Sequence, residues 1–271
     1  MNEKLKNLID KNNIIPKKSL GQNFIFDYNI LNKIVKSLIP LQKHTILEIG
    51  PGPGGLSRSI LKCSPDKLIM VEKDLTYKKL LANLSKEFNK TKITLIFEDF
   101  LKFDLKRFNK EPLKIYSNLP YYISTQILMK LLPLNKYNIS EVAFTFQKEV
   151  AERILALPGT KNYSRLSVLT QYACKIKKIC TLPAKVFYPT PKVDSLAIKF
   201  LPNKNTNINT FSYLQSITKL AFGKRRKMLR NSLSNLDNIS DVLKNCEIKD
   251  TARAEDLSIE QFVRLSDRIN S

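Results

Sequence analysis

Four consecutive residues, Asn118, Leu119, Pro120 and Tyr121, carry groups that could prepare the exocyclic amine of adenine for methylation. Adenine N6 is a poor nucleophile because its lone pair is delocalised into the ring. The side-chain oxygen of Asn118 and the backbone carbonyl of Leu119 could each accept one N6 hydrogen, which would direct the lone pair toward a methyl sulfonium. Pro120 would stiffen this backbone, and Tyr121 would stack on the base, a contact worth ~1 to 3 kcal/mol.

This chemistry needs no strong base, because positive charge passes from sulfur to the amine and a proton can leave afterwards. The sequence fits that requirement, because its single histidine, His44, lies just before the first apolar run and is interpreted as a strand-edge residue, so we expect no histidine catalysis. His44 also has no second histidine with which to form a ligand pair. The cysteines lack C-x-x-C spacing, so we interpret them as reduced apolar residues and expect no metal. Taken alone, N-L-P-Y could be an ordinary turn, so its interpretation depends on the surrounding sequence.

The segment ILEIGPGPGGLS, residues 46 to 57, fits two kinds of nucleotide-binding loop. The glycines that fit the dinucleotide fingerprint G-x-G-x-x-G are Gly50, Gly52 and Gly55. The residues that fit the E-x-G-x-G-x-G loop of methyltransferases that use S-adenosylmethionine are Glu48, Gly50, Gly52 and Gly54. The glycines alone therefore leave the cofactor open.

The prolines of this loop help to separate the two cofactors. Pro51 and Pro53 remove two backbone N–H donors that a pyrophosphate-binding turn would use, which favours a cofactor without a pyrophosphate. We assign Gly50 and Gly52 to close backbone approach to the methionine portion of the methyl donor. We assign Gly55 to helix packing.

Two carboxylates follow later apolar runs. Glu72 lies 20 residues after Gly52, where either loop type places an acid that accepts from ribose hydroxyls, so it does not discriminate between them. Asp99 follows the third run and could accept from the exocyclic amine of an adenine in the cleft. As a lone acid after a strand, Asp99 could equally cap a helix.

Short apolar runs rich in Ile, Leu, Val and Phe must position these residues. The runs span residues 45–50, 67–72, 92–97, 113–117 and 141–146. Helix-length polar segments separate them, a pattern typical of a doubly wound α/β domain with a mainly parallel sheet. In such a sheet ligands bind beyond the carboxyl ends of the strands, where the chemistry-bearing residues fall. Two further runs, around 167–179 and 193–200, predict a hairpin at the sheet edge.

The polar segment 201–210 has no apolar period and is interpreted as a linker. The amphipathic segments after it predict a small all-α domain. We therefore divide the chain into a catalytic domain, residues 1–202, and a helical domain, residues 203–271. No apolar run approaches the ~18 residues that span a bilayer, and the first residues lack the apolar region of a signal peptide, so we expect a cytoplasmic protein without a membrane partner.

The formal net charge of +22 favours a polyanionic partner such as nucleic acid, although lysine-rich drift in an AT-rich genome could also raise it. The clustering of cationic residues in one segment is better evidence for a nucleic-acid partner than the net charge. The segment AFGKRRKMLRNSL, residues 221 to 233, predicts an amphipathic helix with one buried stripe and one cationic face. Its cations are Lys224, Arg225, Arg226, Lys227 and Arg230. A solvated surface would usually mix charge signs, so the cluster favours contact with phosphates.

Together these motifs resemble one family, the ribosomal RNA adenine dimethyltransferases that modify the small ribosomal subunit. The resemblance covers nearly the whole chain. Its segments are KKSLGQNFIFD (17–27), LEIGPGPGGLS (47–57), SNLPYYIST (117–125), QKEVAERILALPGTKNYSRLSV (147–168), VFYPTPKVDS (186–195) and AFGKRRKMLRNSL (221–233). The last two are more specific than the glycine loop.

The resemblance implies a Rossmann-like class I methyltransferase domain that binds S-adenosylmethionine, with a small C-terminal all-α domain. The cofactor contacts that it implies are Asn23, Ile25, Gly50, Glu72, Asp99 and Asn118. It also implies that Asn118 and Tyr121 serve the target adenine and that Phe187 forms a second aromatic face for the flipped base. A core phenylalanine before a strand is the alternative for Phe187.

The implied partner is 16S rRNA in the immature small subunit, where two adjacent adenosines of the 3′-terminal hairpin loop are each methylated twice at N6. Bases in such a loop are already partly unstacked, so their extrusion costs less than from a duplex. We expect a monomer. Two positions depart from the family pattern: Tyr122 replaces a common Asn after N-L-P-Y, and Ser164 replaces a common Gly.

Two other functions stay open at this point. A related class of enzymes methylates an adenine of large-subunit, 23S rRNA and confers antibiotic resistance, and it shares the glycine loop and the N-L-P-Y motif. The protein could instead act chiefly as a subunit-assembly or RNA-binding factor whose methylation is dispensable. The residues expected to bind the cofactor argue against a purely structural role.

Overall fold

The computed structural model describes residues 16, 21–108, 111–224 and 227–269, which form two compact units. The first unit is the described part of Met1–Lys148 with Ile176–Leu201. The second is Glu149–Lys175 with the described part of Pro202–Ser271. This division by contacts assigns Glu149–Lys175 to the second unit, whereas the sequence analysis divides the chain once, after residue 202. The functional domain boundary stays a prediction.

Strands and helices alternate through the first part of the chain. In chain order they are β1 (Phe24–Ile25), α1 (Tyr28–Lys36), β2 (Thr45–Ile49), α2 (Gly55–Leu61), β3 (Lys67–Glu72), α3 (Lys78–Glu87), β4 (Lys92–Phe97), β5 (Leu113–Ser117), α4 (Tyr121–Leu131), β6 (Ile139–Gln147) and α5 (Lys148–Leu155). Strands β2 to β6 coincide with the apolar runs, so these predictions are confirmed. Strands β2 and β5 are buried at every position, as expected where helices cover both faces of a parallel sheet.

The chain continues with one helix and three strands. They are α6 (Arg165–Ala173), β7 (Cys174–Leu182), β8 (Phe187–Tyr188) and β9 (Ser195–Pro202). Seven strands form one sheet in the order β4-β3-β2-β5-β6-β9-β7. The pairs from β4 to β6 are parallel, and β9 is antiparallel to β6. Strands β1 and β8 pair separately as a short antiparallel ladder.

The order of the strands reverses between β2 and β5, both of which end at the same edge of the sheet. The glycine loop follows β2, and the N-L-P-Y segment follows β5. This topological switch point is where open α/β sheets bind their ligands. The predicted mainly parallel sheet is confirmed, and it brings together segments that lie some 70 residues apart in the sequence.

One strand prediction is wrong over half of its length. The segment around 167–179 was predicted as a strand, but Arg165–Ala173 is a helix and only the part from Cys174 onward is extended. Ser164 precedes this helix in extended conformation, and its N–H donates to Ser167 Oγ at 2.9 Å in a capping box, a strong helix start. The apolar residues of this segment fit both the period of a strand and that of a helix. The capping box favours the helix.

The second unit is helical in its C-terminal part. Its helices are α7 (Ile208–Gly223), α8 (Leu229–Ser232), α9 (Ile239–Asn245) and α10 (Ile259–Ile269). Asn207 accepts from the N–H groups of Asn209 and Thr210 and thereby starts α7, so the predicted linker ends at a helix cap. The ring of Phe222 stacks on Phe262 with centroids 5.7 Å apart, which fixes α7 against α10.

The prediction of one continuous amphipathic helix over 221–233 is wrong. Helix α7 ends at Gly223, and Lys224 leaves the helical region with φ −125° and ψ 60°. Of the residues described after it, Lys227 and Met228 are not helical, and the next helix begins at Leu229. Glycine is a poor helix former, which accounts for the end at this position. Lys224, Lys227 and Arg230 are exposed, whereas Arg225 and Arg226 lie outside the described residues.

An ion network built around the buried Lys114 joins the end of α1 to the sheet. Lys114 on β5 is 4% exposed, and its ammonium contacts Glu141 Oε2 at 2.8 Å. Lys199 on β9 contacts Glu141 Oε1 at 2.5 Å. The two lysines also donate to backbone carbonyls after α1, at Ser37, Leu38 and Pro40. Every charge in the network therefore has a partner, as buried charges require.

None of the helices within the described ranges is long and apolar enough to cross a membrane. Across the same ranges, no group of three or more His, Cys, Asp or Glu side chains is arranged to hold a metal ion.

Candidate active site

The glycine loop after β2 adopts a backbone that side chains resist. Gly50 and Gly52 have φ of 65° and 54°, in the left-handed region that favours glycine. A Cβ added at Gly52 would lie 2.9 Å from Phe24 Cε1, so a larger residue would also collide with the ring that covers the loop. The loop therefore needs glycine at these positions, because of its backbone conformation and, at Gly52, because of the Phe24 ring. The close backbone approach to the methyl donor stays a prediction.

Glu72, at the end of β3, is tied to this loop by backbone hydrogen bonds. Its Oε2 accepts from Gly52 N at 3.0 Å, and its Oε1 accepts from the N–H groups of Lys73 and Asp74, both at 2.8 Å. Burial raises the pKa of this carboxyl, and the backbone donors oppose the rise. The side chain is thus fixed in orientation, and Oε2 keeps one lone pair for a hydroxyl donor of a ligand.

Asp99 follows β4 and is held from two sides. Its Oδ2 accepts from Lys73 Nζ at 2.8 Å, and its Oδ1 accepts from Leu101 N at 3.0 Å. The hydrogen bond from Lys73 lowers the pKa of Asp99, so the carboxylate stays charged at neutral pH. The Asp99 side chain caps a turn, and no helix begins after it. Asp99 is therefore not a helix cap, which was the alternative left open by the sequence.

The turn that carries Asp99 is fastened to α4 by one lysine that the sequence analysis did not single out. Lys130 Nζ donates to the carbonyls of Phe100, Leu101 and Phe103 at 2.9, 2.6 and 2.7 Å. Burial lowers the pKa of this ammonium. No sequence motif marks Lys130, because its partners lie 27 to 30 residues away.

Replacing Lys130 by Met is expected to weaken binding of the methyl donor about tenfold, because each lost hydrogen bond from a charged group is worth about 1.5 to 3 kcal/mol and the Asp99 turn would be freed. Isothermal titration with S-adenosylmethionine measures the change. Lys79→Met, at an exposed lysine of α3, is the matched control. Equal donor affinity in the two variants would contradict a positioning role for Lys130.

Asn118, directly after β5, is fixed by both ends of its amide. Its Nδ2 donates to the backbone carbonyl of Asn23 at 2.9 Å, and its Oδ1 accepts from Thr145 Oγ1 at 2.6 Å. Thr145 is buried on β6 and was missed by the sequence analysis. The one hydroxyl residue inside the apolar run VAFTF was the signal that could have found it.

The three residues after Asn118 occupy different environments. Leu119 is buried with Cδ2 3.5 Å from where a Cβ on Gly50 would lie, and Pro120 starts α4. Tyr121 is half-buried, and its hydroxyl shares a hydrogen bond of 2.8 Å with Ser195 Oγ. Burial raises the pKa of Tyr121, which keeps the phenol neutral.

The described residues of the first unit enclose a cavity of about 400 Å³ at this edge of the sheet. The predicted residues that line it are Asn23, Ile25, Gly50, Gly52, Glu72, Asp99, Asn118, Leu119 and Pro120. Within the described chain, Tyr121 and Phe187 are not among the lining residues, whereas Tyr122 is. Phe187 is 3% exposed and belongs to the hydrophobic core, which is the alternative that its sequence position allowed.

Glu48 of the glycine motif is a buried carboxylate on the cavity wall. It is 1% exposed, and its Oε2 has no hydrogen-bond partner among the described residues. Burial raises the pKa of Glu48 to about 8, and Ser57 nearby opposes the rise only in part. An unpaired buried carboxylate is costly for the free protein, and a cationic ligand would compensate it.

The raised pKa of Glu48 predicts a pH-dependent stability. Because the folded-state pKa lies above the ordinary value of 4.5, its stabilising contribution is complete below about pH 4.5 and is lost as pH rises through about 8. We expect the free energy of unfolding without donor to fall between pH 6 and 8.5 by about 1 to 3 kcal/mol more than in Glu48→Gln. Urea unfolding at both pH values measures it, and identical pH dependence in the two proteins would contradict it.

The residues present fit S-adenosylmethionine. This cofactor is cationic at its sulfonium and ammonium groups, and its ribose and adenine offer hydrogen-bond donors. The cavity presents carboxylates at the ends of three neighbouring strands, Glu48, Glu72 and Asp99, beside a loop whose glycines allow close approach. The parallel sheet, this loop and these carboxylates define a class I methyltransferase that uses S-adenosylmethionine.

Comparison with known proteins narrows the class. The family model of ribosomal RNA adenine dimethylase matches residues 14–271. A ribosomal RNA small subunit methyltransferase A of Blochmanniella pennsylvanica is 40% identical over 98% of this chain and 100% of its own length. The chain belongs to the ribosomal RNA adenine dimethylase family and is an S-adenosylmethionine-dependent methyltransferase, which confirms the resemblance.

Solved structures agree with this assignment. A dimethyladenosine transferase from Plasmodium falciparum has a TM-score of 0.76 and 25% identity, over 89% of this chain and 95% of that one. A 23S rRNA methyltransferase, ErmE, has a TM-score of 0.67 over 92% of this chain and 100% of that one, and at 22% identity it shows the fold alone. The predicted α/β methyltransferase fold with a C-terminal helical part is confirmed.

Proposed function

We propose that this chain transfers methyl groups from S-adenosylmethionine to N6 of two adjacent adenosines in the 3′-terminal hairpin loop of 16S rRNA, each of which is methylated twice. The observation that carries the proposal is the Asn118 amide, which is fixed from both ends. It lies at the wall of the 400 Å³ cavity, which we call the donor cavity. Support for the small-subunit substrate comes from the relative that is 40% identical along its full length.

The donor supplies an electrophilic methyl group when it is bound. For its recognition we propose Glu72 as the acceptor of ribose hydroxyls and Asp99 as the acceptor of the adenine amine. Gly50 and Gly52 admit the methionine portion, whose positive charge would favour the ionised form of the buried Glu48 and be compensated by it. The wall of the same cavity is completed by Asn23, Ile25 and Asn118.

Asn118 and Leu119 orient the target amine. Thr145 occupies one lone pair of Asn118 Oδ1, and a second lone pair remains for one N6 hydrogen. The Leu119 carbonyl accepts the other hydrogen, and Pro120 restricts the backbone that aims it. Both acceptors favour a tetrahedral amine whose lone pair points away from them, so they assist the reaction without removing a proton first.

Tyr121 is proposed to stack on the target adenine, with its ring orientation set by the hydrogen bond to Ser195. The proposed contact of Phe187 with the opposite face of the base requires this ring to leave the core, because it is 3% exposed. We propose that the cationic cluster contacts RNA phosphates; its members are Lys224, Arg225, Arg226, Lys227 and Arg230. These contacts would position the RNA without reading its sequence.

We further propose that the chain acts as a cytoplasmic monomer on the immature small subunit. Its net charge of +22 suits a large anionic particle. The large-subunit alternative is not favoured, because the likeness to the 23S rRNA methyltransferase shows only the fold, at 22% identity.

The proposal is tested with purified chain, labelled S-adenosylmethionine, and isolated small and large subunits. Mass spectrometry should find dimethyladenosine in 16S rRNA, and primer extension should stop at two adjacent adenosines. RNA from cells that lack the gene should lose both signals. Methylation confined to large-subunit RNA would refute the proposal.

A further inference from the structure

The two tyrosines at the start of α4 face different surroundings. Tyr121 is half-buried and engaged with Ser195, whereas Tyr122 lines the donor cavity and is 59% exposed. Successive residues of a helix point about 100° apart, so the two rings cannot stack on the same base. The structure therefore offers a second aromatic surface that the proposed chemistry does not use.

The ring of Tyr122 is supported on one side. A Cβ added at Gly21 would lie 3.6 Å from Tyr122 Cδ1 and 3.6 Å from Pro120 Cβ, so the ring lies beside the Gly21 backbone. Gly21 itself has φ of 59°, where a side chain would be strained. This contact restricts the Tyr122 ring before a ligand binds. Less side-chain conformational entropy is therefore lost on binding.

The wall of the same cavity also carries an exposed cation. Lys73 lines the cavity, its side chain is 75% exposed, and its ammonium pairs with Asp99 at 2.8 Å. An exposed aromatic ring and an exposed ammonium on the wall of one cavity suit a nucleotide, since the ring can stack on the base and the ammonium can contact a phosphate. Both groups belong to the rim of the cavity and can be reached from solvent.

We propose that Tyr122 stacks on the nucleobase next to the target adenosine in the RNA chain and thereby helps to select a target with an unpaired neighbour. This inference rests on the proposed RNA substrate. When the target adenine is stacked on Tyr121 beside Asn118, its neighbour in the RNA chain lies outside that position, where the exposed ring of Tyr122 at the rim can receive it. Stacking is tolerant of base identity, so Tyr122 selects for an accessible neighbour and not for a particular base.

The test is a double-mutant cycle on RNA affinity. Fluorescence polarisation measures binding of the full chain, with S-adenosylhomocysteine present, to a hairpin RNA whose loop carries two adjacent adenosines. Each neighbour of the target is replaced in turn by an abasic nucleotide. We expect the wild type to lose about tenfold in affinity at one of these positions, Tyr122→Ala to lose about tenfold on the intact RNA, and the pair to show little further loss.

Tyr122→Phe should keep the affinity, because stacking needs the ring and not the hydroxyl. Tyr28→Ala, at a tyrosine that is 40% exposed and absent from the described cavity wall, is the matched control. An equal abasic penalty in wild type and Tyr122→Ala would overturn the inference, as would weaker donor binding with unchanged RNA affinity. Because binding is read without methyl transfer, failure of the proposed reaction would be seen separately in the subunit methylation assay.

Discussion

Replacing Asn118 by Ala is expected to lower kcat for methyl transfer about 10²- to 10³-fold. The variant loses the side-chain acceptor that is held between Asn23 and Thr145, and loss of one preorganised polar group at a reacting centre has effects of this size. Affinity for S-adenosylmethionine should fall far less, about tenfold at most, because the carboxylates of the cavity remain. Single-turnover methylation of small subunits and isothermal titration measure the two quantities.

Thr145, which donates to Asn118, allows the same role to be tested with a smaller change. Thr145→Val removes the hydroxyl that donates to Asn118 Oδ1 but keeps the Nδ2 anchor, so kcat should fall about fivefold, the equivalent of one ordinary hydrogen bond. Asn83→Ala, at an exposed asparagine of α3, controls for unspecific effects. Wild-type kcat in Asn118→Ala would rule out its role at the target amine, whereas loss of donor binding alone would assign it to the cofactor.

The largest expected effect on stability is at Lys114. Lys114→Met leaves the partly buried Glu141 with one cation and leaves the Leu38 and Pro40 carbonyls without this donor, and breaking a buried pair costs up to about 3 to 5 kcal/mol. Urea unfolding followed by circular dichroism measures the change in free energy. Lys86→Met, at an exposed lysine of α3, should change it by less than about 0.5 kcal/mol.

Removing the whole ion network should recover part of this loss. The triple variant Lys114→Met, Glu141→Leu and Lys199→Met is expected to be more stable than Lys114→Met alone, because none of the three charges remains with an incomplete set of partners. Burial by itself would raise the pKa of Glu141, and hydrogen bonds from both lysines leave it below the ordinary value. The contribution of the network is therefore present at neutral pH and lost as pH falls. Equal stability of the single variant and wild type would contradict this account.

The strands and the loops that follow them could be predicted from the sequence because their signals are local. Runs such as TILEI and LKIYS predict buried parallel strands by composition alone, and the glycine loop and Asn118 follow two of them. The rule that ligands bind beyond the carboxyl ends then predicts the edge at which they meet. In the segments 167–179 and 221–233 the local pattern was ambiguous, and a helix cap and a glycine decided against the prediction.

By itself the sequence determined the family and the cofactor, since both depend on residue type and short spacing, and it predicted which residues carry the chemistry. Only the tertiary structure decided how these residues are held. Thr145 lies 27 residues from Asn118, and Lys114 lies 76 from the carbonyl of Leu38 that it binds. Whether Glu48 has a partner, and which of two adjacent tyrosines reaches solvent, depends on side chains from distant segments that meet only when the sheet is assembled.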